Sequence, residues 1–352
     1  MNKVLFLGDL HLGIRNGSSI FLNMMKKYFN EELFPYILKN DIKYVIQLGD
    51  ILDKRKSIDF IVSNYLTNTF FKFFETNKIH FYSTVGNHDL YYRQSVELDG
   101  PSQFSNNEYI HIIKTVTNIK IHNKNFILCP WICEENKEQI INDLKVIKDT
   151  KNSFLCGHFE LAGFPIQRGF ISDKETLPKD ILSNYFKVMS GHYHSPSSKD
   201  NVSYIGIPYQ LTWSDYGDKK KVVVYDFDDK EFEEIYTDLE IYHKIFYSDD
   251  IKINYKDYDN CYVKIILNSD YTDNKLNVFL SEFENSANLL GLQVINQLDA
   301  NDTIEEISIT DIDNPIDIMI NVINDRISDE NIKTLAKSLS YDIYKEAQSM
   351  IS

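Results

Sequence analysis

The chain has 352 residues, 43% of them hydrophobic and 13% aromatic, which leaves room for one large domain with smaller ones and a sizeable core. Its 37 basic and 52 acidic residues give a formal charge of −15, a balance that repels a nucleic-acid backbone on average and excludes binding by overall charge alone. No opening run has the make-up of a secretion signal, no apolar stretch could span a bilayer, and Cys129, Cys133, Cys156 and Cys261 show no Cys-x-x-Cys spacing, so a soluble cytoplasmic protein with reduced thiols is expected.

In chain order, apolar runs at 4–7, 44–48 and 81–85 read as strands, with helical stretches over 21–39 and 59–76 between them. The next segment is strand-rich, at 110–113, 119–122, 126–129, 154–156, the mixed run 187–190, 203–207 and 221–227. This mix predicts an α/β fold over 1–236, a two-sheet sandwich flanked by helices. Strand, helix and strand at 262–267, 274–290 and 292–295 predict a small α/β cap within 237–297. The acidic, weakly periodic residues that follow read as a linker over 298–325. A C-terminal amphipathic helix is predicted within 326–352, with Asp329 and Glu330 in its first turn. Its stripe of Ile332, Leu335, Ala336, Leu339, Ile343 and Ala347 suits packing on its own domain and docking to a partner equally well. Lys219, Lys220 and Lys221 read as a hairpin turn.

Five of the 13 glycines sit directly before a candidate metal ligand: Gly8-Asp9, Gly49-Asp50, Gly86-Asn87, Gly157-His158 and Gly191-His192. Each follows a strand-like run, where glycine permits a sharp turn and a close backbone approach to an ion. His11 and His194 follow two residues after Asp9 and His192, on the same side of an extended segment. The result is seven donors from five loops: Asp9, His11, Asp50, Asn87, His158, His192 and His194. One tetrahedral ion needs four, so seven suit two ions that share a carboxylate, with positions left for water and substrate. Any one of these motifs is also an ordinary capped turn; the ordered set is what points to metal. Mixed imidazole, carboxylate and amide donors favour Mn(II), Fe(II), Zn(II) or Mg(II).

In this order the motifs resemble those of the calcineurin-like metallophosphoesterases. The resemblance implies that Asp50 bridges two divalent ions, with Mn(II) expected and Mg(II) the alternative. Asp9, His11 and His194 would complete one ion, and Asn87, His158 and His192 the other. His88, held by Asp89, would meet the phosphate and the leaving oxygen, Asp89 fixing its tautomer. Two cations roughly 3.5 to 4 Å apart would clamp a phosphodiester and make hydroxide available for in-line attack. The segments Gly49-Asp50-Ile51-Leu52-Asp53, Pro130 to Asn136, Gly157 to Leu161 and Tyr204 to Pro208 are similar to those of SbcD-type DNA double-strand-break repair nucleases, and the T-even phage branch of recombination endonuclease subunits is the nearest likeness.

That branch implies double-strand exonuclease and single-strand endonuclease activity, and a role in DNA recombination and repair. It also implies an SMC-like coiled-coil ATPase partner of the SbcC type, docked on the C-terminal helix, a homodimer within a heterotetramer, and the host cytoplasm if phage-encoded. Two other functions fit the same motifs: a metal-dependent phosphomonoesterase or protein phosphatase, and a non-catalytic scaffold for the ATPase. Candidate DNA contacts are Lys54, Arg55 and Lys56 just after Asp50, and Tyr91, Tyr92 and Arg93 just after Asp89, where cations beside aromatics could grip phosphate and stack on bases. Each cluster also reads as a solvated face. His80, His111, His122 and His243 lie outside every motif.

Overall fold

Alternate residues of the strand Lys3–Leu7 serve two different cores, and this sets the architecture. Leu5 and Leu7 pack among helix side chains, whereas Val4 and Phe6 face the opposite way into an interior shared with a second sheet. Buried on both faces, such a strand reads as an unbroken apolar run. The molecule, a computed structural model, is described over residues 2–167, 170–268 and 274–296, and beyond these at 323, 333, 336, 337, 339 and 340.

The first sheet has six strands in the order Glu231–Tyr236, Lys221–Asp226, Lys3–Leu7, Tyr44–Gln47, His80–Thr84 and Ile110–Ile113. The second also has six, Ser197–Lys199, Val202–Tyr204, Lys187–Gly191, Ser153–His158, Lys124–Cys129 and Thr117–Ile121. Between them lie Ile46, Leu48, Phe126, Leu128, Phe154, Met189 and Tyr225, with Phe126 stacked on Phe154 at 4.6 Å. The helices cover the outer faces, so the two-sheet sandwich flanked by helices is what the chain forms. The central strands of both sheets run parallel, Lys3–Leu7 with Tyr44–Gln47 and His80–Thr84, and Ser153–His158 with Lys187–Gly191. Their carboxyl ends therefore open toward one region, where α/β sheets place their ligands.

Both long helices contain a π-helical stretch, Tyr28–Leu33 in one and Leu66–Phe70 in the other. In the first, Pro35 follows at once and has no N–H to give. The strand Glu231–Tyr236 escapes the sequence pattern because it is an edge strand, exposed along most of its length and rich in glutamate. The hairpin that contains it turns after Asp226, not at Lys219–Lys221, because Lys221 already opens the preceding strand.

A third sheet is wholly parallel, Tyr242–Phe246, Tyr262–Leu267 and Gly291–Asn296. The helix Asn274–Ser286 covers one of its faces with Leu276, Phe279 and Phe283. Residues Met1–Leu298 form one compact unit and Asp299–Ser352 a second. In the second unit residues 323, 333, 336, 337, 339 and 340 are helical, and Ser340 Oγ donates to the Ala336 carbonyl at 2.9 Å. The rest of the helix expected within 326–352, including Ile332, Leu335, Ile343 and Ala347, lies outside the described residues, as does the 298–325 linker apart from 323. Among the described residues no helix is long and apolar enough to cross a membrane.

Candidate metal centre

All seven expected donors meet at the carboxyl ends of the parallel strands, in two groups. Asp9, His11 and His194 form one, and Asp50, His158 and His192 another; in each, one ligand atom per residue lies within 4.8 Å of the others. Asn87 joins the second group, its Oδ1 3.0 Å from His158 Nε2. Asp50 stands between the groups, with Oδ2 3.2 Å from His158 Nε2 and 4.0 Å from His11 Nε2. Its Oδ1 accepts the backbone N–H of His88 at 2.8 Å.

The local backbone shows why these residue types stand here. Of the five glycines before ligands only Gly49 has a left-handed φ, +99°, and a Cβ there would lie 2.4 Å from the His158 ring. At Gly191 the reason is space alone, since a Cβ would sit 2.3 Å from Asp9 Oδ1. The left-handed conformation falls instead on the ligands His11, Asp50 and His192, with φ of 47°, 55° and 87°. L-residues adopt it at a cost of roughly 1–2 kcal/mol each, strain of the sort that collects at functional sites.

A hydrogen bond from outside the cluster orients His158, and carboxylates stand behind the His11 and His192 rings. His158 Nδ1 donates to the Leu48 carbonyl at 2.8 Å, which turns Nε2 toward Asn87 and Asp50. His192 places Nε2 3.4 Å from Glu160 Oε1 and Nδ1 3.2 Å from His158 Nε2. His11 has Nδ1 3.5 Å from Asp53 Oδ1 and Nε2 3.1 Å from His194 Nε2. Outer partners of this kind fix tautomer and ring orientation at metal sites. Imidazole nitrogens that face one another over about 3 Å, beside carboxylates, make a donor set that fits divalent cations once any protons they carry have left.

The electrostatics agree. Burial drives Asp9 and Asp50 toward neutrality; it prevails at Asp9, whereas His158, His88 and His11 hold Asp50 well below the usual carboxylate range. Burial opposes charge on His11 and His158 as well, yet the surrounding carboxylates overcome it and raise them to about 10 and about 9. His194 goes the other way, pushed well down by burial and by the charges of His11 and Lys220, so its nitrogen is available to an ion. Protons thus occupy His11 and His158 at neutral pH until a cation displaces them. Mn(II) binding is expected to release up to about two protons near neutrality and to tighten as pH rises toward 9. Calorimetric titrations in buffers of different ionisation enthalpy read the release, and enthalpies independent of buffer would contradict it.

The expectation that Asp89 holds His88 is corrected. Asp89 is fully buried and accepts from three backbone N–H groups, Asp50 and Gly86 through Oδ2 and Leu52 through Oδ1, each at 2.9–3.0 Å. It ties the Asp50 loop to the Asn87 loop. His88 Nδ1 faces the Asp53 carbonyl oxygen instead, at 2.7 Å, which makes Nδ1 the donor.

The candidate DNA contacts divide. Arg55 Nε donates to the Asn87 carbonyl at 2.9 Å, and Arg93 lies 5.8 Å over the Trp131 ring and 3.7 Å from Glu160 Oε1. Both therefore adjoin the ligand loops. Lys54 pairs with Asp59 at 3.4 Å, Lys56 lies 5.8 Å over the Tyr91 ring, and the Tyr91 and Tyr92 rings meet edge to face at 4.7 Å. Sequence reasoning passed over Glu160, although it stands two residues after His158, the same spacing that marks His11 and His194. Trp131, 5.3 Å from the His192 ring, carries no such signal.

The model of the calcineurin-like phosphoesterase family matches residues 2–196. Over 357 aligned residues the chain is 30% identical to exonuclease subunit 1 of Enterobacteria phage T4, covering 98% of this chain and 99% of that one. Among solved structures, an archaeal phosphodiesterase superimposes with a TM-score of 0.34 at 15% identity, over 67% of this chain and 99% of its own. Glutamine-dependent NAD+ synthetase from Acinetobacter baumannii gives 0.27 at 11% identity, over 97% and 72%. Both scores are too low to define a shared fold.

Proposed function

Because the chain belongs to the calcineurin-like phosphoesterases, we propose that it is a metal-dependent nuclease that hydrolyses DNA phosphodiesters with two divalent ions. Asp9, His11 and His194 hold one ion, Asn87, His158 and His192 the other, and Asp50 is shared. The observation that carries this reading is the place of Asp50 Oδ2, within 4.0 Å of a ligand nitrogen from each group. The bound ions would supply Lewis acidity and a nucleophile at neutral pH. The chain itself orients the inward nitrogens through Leu48, Glu160 and Asp53, and presents His88 beside Asp50.

DNA as substrate is supported by the likeness to a phage exonuclease subunit along nearly the whole chain and by Arg55 and Arg93 next to the ligand loops. Double-strand exonuclease and single-strand endonuclease activities, with Mn(II) as the working ion, complete the reading. The relative is named as a subunit, and a formal charge of −15 leaves the isolated chain poorly suited to hold DNA. An SMC-like ATPase of the SbcC type, bound through 326–352 to a homodimer, would supply that affinity. In this division 1–236 is the nuclease, 237–297 the cap and 298–325 the linker.

Release of nucleotides from end-labelled linear duplex with Mn(II), measured with and without the ATPase and beside a small phosphomonoester, tests the proposal. Metal-dependent release that the partner enhances is expected, with little turnover of the monoester. Hydrolysis of the monoester alone would favour the phosphatase reading.

A further inference from the structure

Lys219, Lys220 and Lys221 look alike in the sequence, yet the fold gives the middle one a different place. Lys219 is exposed and Lys221 pairs with Glu234 across the hairpin, whereas Lys220 is 3% exposed. Its Nζ lies 2.6 Å from Asp215 Oδ1, 3.2 Å from the carbonyl oxygen of His194 and 3.4 Å from Asp218 Oδ2. An ammonium has three protons, and here each has an acceptor.

The acceptors are themselves anchored. Asp215, 1% exposed, uses Oδ2 to accept the backbone N–H groups of Leu211 and Thr212 at 2.9 and 2.8 Å. Asp218 Oδ2 also accepts the Ser195 hydroxyl at 2.7 Å. One buried cluster therefore grips two consecutive residues, His194 by its main-chain carbonyl and Ser195 by its side chain. The loop is also backed by Gly206, where a Cβ would come 2.6 Å from the same carbonyl. The His194 imidazole projects the other way, with Nε2 3.1 Å from His11 Nε2 and 4.0 Å from Asp9 Oδ2.

A buried ammonium is costly to desolvate unless its partners are well placed. The pair with Asp215 would suffice to pin the fold, but the bonds to His194 and, through Asp218, to Ser195 direct the cluster at a ligand loop. The geometry points to Lys220 as a positioning residue for the ion held by Asp9, His11 and His194, acting through the His194 main chain, with Asp215 and Asp218 as its anchors. Among the described residues Lys220 bonds directly to no other candidate ligand residue, so its grip falls first on the set of Asp9, His11 and His194. The inference rests on the two-ion reading above and adds what makes one of the two positions rigid.

The test uses the full chain and Mn(II) alone as the probe, read by electron paramagnetic resonance and by metal titration. Wild type at saturation is expected to show an exchange-coupled manganese pair, and His194→Ala the signal of an isolated ion. Lys220→Met should weaken the same ion by about 10–100-fold, so that the isolated-ion signal replaces the coupled one at concentrations that fill both sites in wild type. The other ion should keep its affinity. Because Lys220→Met strands the Asp215 charge, the double variant Lys220→Met/Asp215→Asn is measured beside it. Asp218→Ala, a change at a partly exposed side chain, gives a milder third variant, expected to weaken that ion by about threefold or more. Any of these that folds and binds both ions as tightly as wild type overturns the assignment. A wild type that never shows a coupled pair would instead sink the two-ion reading and leave the role of Lys220 to be judged on the single ion bound.

Discussion

Asp50→Asn is expected to lose both ions together and to lower DNA hydrolysis by about 10³-fold or more, the several kcal/mol that metal stabilisation contributes to such a transition state. The reason is position. The carboxylate lies between a nitrogen of each group, 3.2 Å from His158 Nε2 and 4.0 Å from His11 Nε2. It is also the acid whose charge the site preserves, since the neighbouring imidazoles hold it well below the carboxylate range against the pull of burial. Asparagine is the cleaner replacement, because residue 50 has φ of 55°, a conformation Asn tolerates and Ala does not. Asn can also still accept the His88 N–H that Asp50 Oδ1 now takes. Metal content after gel filtration, read beside circular dichroism, separates loss of ions from loss of fold. Two ions retained at wild-type affinity in the folded variant would sink the shared-carboxylate assignment.

The candidate ligands stand out in the sequence because their motifs follow strands whose ends must turn hard, and the crowding that demands glycine at 49 and 191 comes from His158 and Asp9, two of those same candidates. What sequence spacing conveys is which residues reach one side of a loop; it does not convey what stands behind them. The family resemblance implied that Asp89 would hold His88, and nothing in the spacing of the two residues could test that. Asp89 instead takes three N–H groups from two loops brought together by the fold. Lys220 resembled a turn lysine because the acceptors that bury it, Asp215 and the His194 carbonyl, meet it only in three dimensions. The sheets were readable where strands are buried on both faces, as in Lys3–Leu7, and unreadable at Glu231–Tyr236, where an edge strand carries charges along its exposed length.

His88→Ala should keep both ions and lose about 10²–10⁴-fold in turnover, the usual range for a positioned proton donor. His88 is outside the two groups assigned to the ions, although with His11 and Asp53 it forms a further cluster of metal-capable side chains, and its ring stands 5.0 Å from that of His11, edge to face. Since Nδ1 donates to the Asp53 carbonyl at 2.7 Å, the neutral ring presents Nε2 as a lone pair. To give a proton to a departing oxygen, Nε2 must be protonated, and the working form is the imidazolium. Burial pushes the His88 pKa below the ordinary histidine value, and the charges of His11 and Arg55 add to this against the opposing pull of Asp50; bound cations act in the same direction. The sign follows: with the sites saturated, so that the pH dependence of metal binding drops out, the imidazolium is lost on the acid side of the ordinary histidine value of about 6.5, and wild-type turnover should already be falling as pH rises from there. His88→Ala, having no such proton, should be slow and flat over the same range. Turnover by His88→Ala within about threefold of wild type would remove His88 from the chemistry, and a slow variant that kept the wild-type pH slope would assign the proton to another group.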